Sequence, residues 1–209
     1  MEVLITQAPI RAAREGFDPR SKWRERGRAA FCFLGLGLLW IFSALNGARG
    51  QTVSHEYPLK AGFLLNFAQF TDWPANAFDP PDAPLVIGVL GDDPFGALLD
   101  DAVRDETLNG RRFAVQRYHR VADVNHCQIL FISQSEIKRL DKIVESLKGK
   151  PILTVSDLDG SAQRGVCVQF ITDNNKIRLR INIDALKEAN LEMSSKLLRL
   201  SEIITAPIK

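Results

Sequence analysis

After residue 54, segments whose apolar residues have helical spacing alternate with short apolar segments typical of strands. Between Ser54 and Phe70 they recur every three or four residues, which predicts a helix that Ser54 caps and that ends before Pro74. The run Leu85–Leu90 is almost continuously apolar, a pattern typical of a strand buried on both faces of a sheet. The chain therefore predicts a succession of helices and buried strands.

The same patterns continue along the rest of the chain. The further predicted strands are Arg112–Tyr118, Ile129–Ile132, Ile152–Val155, Val166–Ile171 and Lys176–Ile183. The further predicted helices are one capped by Asp93 that runs through Val103, one from Ser133 to Leu147, and a closing one over Ala185–Ile204 with a break near Met193. Strands that alternate with helices favour an α/β fold. We expect a single domain with a mixed, mostly parallel sheet, helices on both faces and a C-terminal antiparallel hairpin toward one edge.

An uncharged apolar run at Ala29–Leu45 follows a basic segment near the start of the chain. The basic residues before it are Arg20, Lys22, Arg24, Arg26 and Arg28, and small residues follow it. This order is that of a secretory signal peptide with cleavage near Ala48–Gly50. Residues 1–50 are thus expected to be removed, and residues 51–209 to form an exported, periplasmic domain. A retained anchor is the alternative, although the run is shorter than the about 20 apolar residues that a bilayer span needs.

Removal of that segment changes the charge of the protein. The whole chain has 27 Lys and Arg residues against 25 Asp and Glu residues, a net charge of +2. Residues 1–50 hold eight basic and four acidic residues, which leaves 19 basic and 21 acidic residues in 51–209, a net charge of −2. The basic character belongs to the signal and gives no support to nucleic-acid binding.

Two cysteines, Cys127 and Cys167, follow residue 50, and each lies near the start of a predicted strand. An oxidising compartment permits a disulfide between them, but strand geometry often holds such residues too far apart. Two buried thiols that act as small hydrophobic side chains are the other interpretation. No Cys-x-x-Cys pair or Cys/His cluster with zinc spacing occurs, so a transition-metal site is not expected.

Two segments that could carry chemistry lack the rest of the motif that they would need. Gly91–Gly96 joins a strand to a helix, but it has neither the Lys-Ser/Thr of a P-loop nor the third glycine of a dinucleotide fingerprint. Asp157 and Asp159 could begin a calcium loop, yet its twelfth position is Val168, which cannot bind the ion. No Ser or Cys is spaced convincingly from a His. We therefore expect no enzymatic activity, no cofactor and no metal ion.

Basic and apolar residues alternate strictly along the last predicted strand. Period two directs Lys176, Arg178, Arg180 and Asn182 to one face and the intervening apolar residues to the core. A solvated face, or charges that discourage edge pairing, is the simpler interpretation. The alternative is a surface that binds an acidic partner or an anionic ligand. Trp73 is the other candidate, either as a buried anchor or as an exposed docking residue.

Taken together, stretches along the whole of 51–209 resemble one known family. They are Ala61–Pro74, Gly88–Gly96, Asn109–Arg111, Cys127–Ser133, Pro151–Asp157, Ile177–Asn182 and Ser194–Leu198. Each stretch is a weak signal alone, but their order is that of the YfiR family of small periplasmic proteins, which this chain resembles.

The resemblance implies a regulatory role. YfiR-like proteins are periplasmic repressors that bind the sensory domain of an inner-membrane diguanylate cyclase and lower cyclic-di-GMP synthesis and biofilm formation. Members tend to be dimeric, so a homodimer is implied as well. The family offers no catalytic motif to carry over. Cys167 stands where an ordinary apolar residue is expected, so a redox role for a bridge to Cys127 is not implied.

A second class of function stays open beside the regulator. The crevice at the carboxyl ends of the strands of an α/β sheet is a common ligand site, so the domain could instead be a periplasmic small-ligand-binding protein. Recovery of a membrane cyclase with the protein would favour regulation, whereas ligand-induced thermal stabilisation without a partner would favour ligand binding.

Overall fold

The computed structural model describes residues 56–78, 80, 82–173 and 176–205. The signal-peptide prediction for residues 1–50 and the cap predicted at Ser54 lie outside them. The helices are α1 (Glu56–Phe70), α2 (Ala97–Val103), α3 (Leu140–Leu147), α4 (Ile183–Glu188) and α5 (Ser195–Leu198). The strands are β1 (Thr71–Asp72), β2 (Leu85–Leu90), β3 (Thr107–Leu108), β4 (Arg111–Tyr118), β5 (Ile129–Ile132), β6 (Leu153–Ser156), β7 (Val168–Asp173), β8 (Lys176–Asn182), β9 (Glu192–Met193) and β10 (Glu202–Ile204).

Eight strands form one mixed sheet in the order β10-β8-β7-β6-β5-β2-β4-β3. Neighbours pair in parallel except at β3–β4 and at the β7–β8 hairpin. The remaining strands, β1 and β9, form a separate antiparallel pair. The predicted α/β fold with a mostly parallel sheet is confirmed, and the predicted strands match the observed ones to within two residues.

The sheet is covered on both faces because its central strands are apolar on both. In β2, Leu85, Ile87 and Val89 belong to one hydrophobic cluster, whereas Val86 and Leu90 belong to the other. Helices α1, α2 and α4 pack on the first cluster, and α3 packs on the second. Side chains alternate between the faces of a strand, so a nearly continuous apolar run supplies both layers.

The predicted closing helix over Ala185–Ile204 is wrong. This stretch contains α4, β9, α5 and β10 instead. Asn190 adopts a left-handed conformation with φ of 53° just after α4, and Ser194 accepts a hydrogen bond from the Lys196 amide at the start of α5. Strand β10 then pairs in parallel with β8, so the hairpin lies one strand inside the sheet edge.

The helix predicted to start at Asp93 also begins later, at Ala97. Asp93 accepts a hydrogen bond from the Phe95 amide in the turn before the helix. Arg117 on β4 binds both the Asp93 carboxylate (2.7 Å) and the Gly96 carbonyl (3.0 Å). Gly96 itself has φ of 53° and ψ of −136°, which are not helical angles, so the helix begins only after it.

A buried cation attaches α1 to the carboxyl end of β6. Lys60 Nζ lies 2.6 Å from Glu56 Oε1 and 2.6 Å from Asp157 Oδ2, and the Lys60 side chain is 1 % exposed. Tyr57 donates a hydrogen bond to the same Asp157 oxygen. Burial, and then the charge of Asp157, raises the pKa of Tyr57 to about 12, while the hydrogen bond from Lys60 lowers the pKa of Glu56. The cation therefore binds two carboxylates where the helix meets the sheet.

Replacing Lys60 with methionine should destabilise the fold by about 3–5 kcal/mol, because the Asp157 carboxylate is left buried without its cation. Urea unfolding measures the loss. The exposed ion pair of Lys148 with Glu145 provides the control, and Lys148→Met should leave the midpoint near that of the unchanged protein. Adding Asp157→Leu to Lys60→Met should recover much of the loss. If Lys60→Met had the same unfolding midpoint as the unchanged protein, the Lys60–Asp157 ion pair would not be stabilising the fold.

Candidate functional site

The basic strand β8 presents only part of its predicted outer row to solvent. Lys176 and Arg178 are exposed, the Arg180 side chain is 22 % exposed, and Asn182 is fully buried. The intervening Leu179 and its neighbour Ile181 are buried, as the period-two pattern predicts. The exposed cations thus lie at the hairpin end of the strand, and exposure falls toward its carboxyl end.

Neighbouring carboxylates reduce the positive charge of this row. Arg178 Nη2 lies 3.3 Å from an oxygen of Asp173 on β7, and Arg180 Nη2 lies 2.9 Å from an oxygen of Glu202 on β10. No carboxylate pairs with Lys176 among the residues that the structure describes. The free cationic surface is therefore smaller than the sequence pattern suggests.

Asn182 is buried and has a structural role, so the prediction that it lies on the outer face of the strand is wrong. Its Nδ2 donates to the Ala162 carbonyl (2.8 Å), and its Oδ1 accepts from the Ala185 amide (3.0 Å). The second contact caps α4. Asn182 ends β8 where the chain turns directly into this helix, so the following residues cover it.

The fold does not bring Trp73 to the basic strand. Trp73 follows β1, is half-buried and packs against the cluster under α1. It borders a cavity at the amino ends of β2 and β4, and four strands separate β4 from β8 in the sheet. The two candidate features are therefore separate sites.

The cavity beside Trp73 has a volume of about 180 Å³. Its walls include the side chains of Phe78, Leu85 and Leu108, and Arg111 enters from the start of β4. The Asn109–Gly110 turn between β3 and β4 has positive φ at both residues, as the Asn-Gly sequence favours, and this turn sets the position of Arg111.

The Arg111 guanidinium is held in place by two contacts. Its Nη1 donates to the Ala83 carbonyl (2.8 Å), and its central carbon lies 4.1 Å from the centre of the Phe78 ring. Arg111 forms no ion pair with a carboxylate in the described part of the chain. This half-buried cation is therefore oriented but not neutralised.

Two residues that border the cavity each have a buried polar atom without a partner within the described ranges. These atoms are the Thr71 hydroxyl oxygen and the Trp73 indole nitrogen. The Thr71 residue is 5 % exposed. Sequence reasoning singled out Trp73 but not Thr71 or Arg111, because only the folded chain brings the ends of α1 and the β3–β4 turn together.

A second crevice lies at the carboxyl ends of β2 and β5, where the strand order reverses and where ligands often bind in such sheets. Its volume is about 410 Å³ and its lining includes Tyr57, Asp92 and Asp93. The polar groups there largely satisfy one another. The Asp92 amide donates to the Ser135 hydroxyl, and Asp93 pairs with Arg117. This crevice therefore offers few free donors to an anion.

Cys127 and Cys167 are both free and buried in this structure. Cys127 and Cys167 belong to different hydrophobic clusters. Burial raises the pKa of the Cys127 thiol to about 12 and raises that of Cys167 as well. Neither thiol is activated for chemistry. No group of three or more His, Cys, Asp or Glu side chains suited to a metal ion occurs in the described part of the chain.

A family model described as YfiR/HmsC-like matches residues 57–202. The chain belongs to the YfiR/HmsC-like family. The matched span begins in α1 and ends in β10, so it contains both the basic strand and the Trp73 cavity. Comparison with curated proteins gives no significant match. Among the described helices, none is long and apolar enough to cross a membrane.

For this YfiR/HmsC-like chain, Asn182→Ala should reduce stability by about 2–3 kcal/mol, because the change removes a helix cap and leaves the Ala162 carbonyl buried without its donor. Urea unfolding monitored by circular dichroism tests this expectation. Lys176→Ala, on the exposed end of the same strand, is the control and should leave the midpoint unchanged. Equal midpoints for the two variants would refute a structural role for Asn182.

The native protein should resist thiol alkylation at pH 8, because a buried thiol with a pKa near 12 contains almost no thiolate. Iodoacetamide labelling followed by peptide mass spectrometry measures this. In urea without a reductant, both Cys127 and Cys167 should become labelled. Peptides that stay unlabelled in urea until a reductant is added would reveal a disulfide instead.

Proposed function

We propose that this protein is an exported repressor that binds the periplasmic sensory domain of an inner-membrane diguanylate cyclase, and so lowers cyclic-di-GMP synthesis and biofilm formation. The observation that carries the proposal is the match to the YfiR/HmsC-like family over residues 57–202. The signal-peptide pattern before residue 50 supports export. The same pattern favours a division into a removed segment, 1–50, and a periplasmic domain, 51–209.

An exported domain influences an intracellular messenger through a protein that crosses the membrane. Binding shifts the cyclase toward its inactive state only if the repressor binds that state more tightly than the active one. A shift from one per cent to ninety-nine per cent inactive cyclase requires about 5.5 kcal/mol of difference in binding free energy. The docking surface must therefore distinguish two conformations of its partner.

The exposed end of β8 is the part of the surface that we assign to docking. Lys176 and Arg178 extend from the hairpin, and the neighbouring C-terminal segment exposes two apolar side chains, Leu200 (82 % exposed) and Ile203 (45 % exposed). Strand β10, which carries Ile203, pairs directly with β8. Ile203 lies opposite Ile181, so the apolar side chains form a separate area, and it is the exposed cations at the hairpin end that fit an acidic partner surface.

The double variant Lys176→Ala/Arg178→Ala should weaken binding to the membrane cyclase about tenfold or more and should raise cyclic-di-GMP and biofilm in cells. Arg180 is left intact because it is partly buried against Glu202. Co-purification from envelope extract and a cyclic-di-GMP reporter provide the two measurements.

The matched control is Arg120→Ala, which removes another exposed arginine that is paired with a nearby aspartate. It should leave binding and the reporter unchanged. Unchanged binding by the double variant would reject β8 as the docking surface. A deletion strain with normal cyclic-di-GMP would reject the repressor function itself.

A further inference from the structure

We propose that the Trp73 cavity binds a small molecule that carries one carboxylate on an apolar body about the size of a ring. This ligand site goes beyond the repressor function, since it lies near the opposite edge of the sheet, with four strands between β4 and the basic strand β8. The cavity combines a preset cation, two buried hydrogen-bonding atoms without partners and apolar walls.

The buried polar atoms indicate that a ligand completes the site. More than nine in ten buried polar groups in proteins have a hydrogen-bond partner, and leaving one without a partner costs about 1–3 kcal/mol. Here both Thr71 Oγ1 and Trp73 Nε1 lack one in the described part of the chain. Because an indole nitrogen is only a donor, its missing partner must be an acceptor. The ligand must therefore bring an acceptor atom into the cavity.

Arg111 indicates that the acceptor is charged. Its contacts with the Ala83 carbonyl and the Phe78 ring fix the guanidinium plane before any ligand arrives. The planar fork of an arginine matches the two oxygens of a carboxylate, and such charge-assisted pairs are the strong ones. Fixing the fork in advance lowers the entropic cost of binding.

The shape and charge of the cavity limit the rest of the ligand. A volume of about 180 Å³ corresponds to roughly six water molecules at about 30 Å³ each, so the body is small. Trp73, Phe78 and Leu108 make the walls apolar. Asp72 also borders the cavity and would repel a second negative charge. A monocarboxylate therefore fits better than a phosphate or a dicarboxylate.

Benzoate is the test probe, with benzamide as its uncharged analogue and inorganic phosphate as a competing anion. The protein is purified as the cell makes it and titrated by calorimetry and by Trp73 fluorescence, Trp73 being the only tryptophan after residue 40. We expect benzoate to bind and to raise the melting temperature. Benzamide should bind at least about tenfold more weakly, and phosphate should have no effect.

Two variants locate the binding. Arg111→Lys keeps the charge but loses the fork, and should weaken benzoate binding about tenfold. Thr71→Val keeps the shape, removes a buried hydroxyl without a partner and should fold at least as well as the unchanged protein, yet bind benzoate more weakly. The matched control is Arg112→Lys, an exposed arginine next in the chain, which should not change the affinity.

Three outcomes would overturn the proposal. Equal binding of benzamide and benzoate would remove the carboxylate requirement. Full affinity in both Arg111→Lys and Thr71→Val would place the ligand elsewhere. No stabilisation by benzoate, phenylacetate or hexanoate at millimolar concentration would mean that water satisfies the buried atoms. Since no cyclase is present in these assays, their failure leaves the repressor function standing, and the reporter strains test that function separately.

Discussion

The buried ion pair between Lys60 and Asp157 attaches α1 to the sheet, and the position of the Trp73 cavity follows from that of the helix. Lys60 is 1 % exposed, and its Nζ lies 2.6 Å from oxygens of both Glu56 and Asp157, which offsets the cost of burying the group. Asp157 follows β6, hence the pair joins the first turn of α1 to the carboxyl end of the sheet. The helix then runs across one face, and its far end delivers Thr71 and Trp73 to the amino ends of β2 and β4.

The far end of α1 also holds the C-terminal segment. The Phe70 carbonyl accepts a hydrogen bond from the Ser194 amide (2.8 Å), and Thr71 pairs with Met193 in the two-stranded β1–β9 sheet. Beyond Ser194 come α5 and β10, which pairs with the basic strand. A continuous set of bonded elements thus connects the Trp73 cavity to the proposed docking surface. Contiguity alone is not coupling, because coupling requires an element with two arrangements that both sites bias. Along this route the β1–β9 pair has the fewest paired residues, with two on each strand.

The central architecture could be predicted from sequence because it depends on local pattern. A run such as Leu85–Leu90 has one favourable environment, between two layers of helices. Strands of two or three residues, such as β1 and β10, bury too few side chains to show a period, and only their long-range partners define them. Asn182 shows the limit of period two, since the alternation assigns it to the outer face but the turn into α4 buries it. The Lys60–Asp157 pair spans 97 residues, and no spacing rule reaches that far.

The unpaired hydrogen-bonding groups distinguish the Trp73 cavity from the crevice at the carboxyl ends of β2 and β5. In open α/β sheets, ligands generally bind at the carboxyl ends of the strands, where the strand order reverses. In this protein the polar groups at that end serve the fold: Ser135 receives the Asp92 amide, Arg117 binds Asp93, and Asp157 holds Lys60. The amino end differs, because there Arg111 has no carboxylate and Trp73 Nε1 has no acceptor among the described residues. At the carboxyl end, Asp157 Oδ1 also lacks a partner in the described part of the chain, but it is an acceptor; of these two cavities, it is the one beside Trp73 that has unpaired donors next to it.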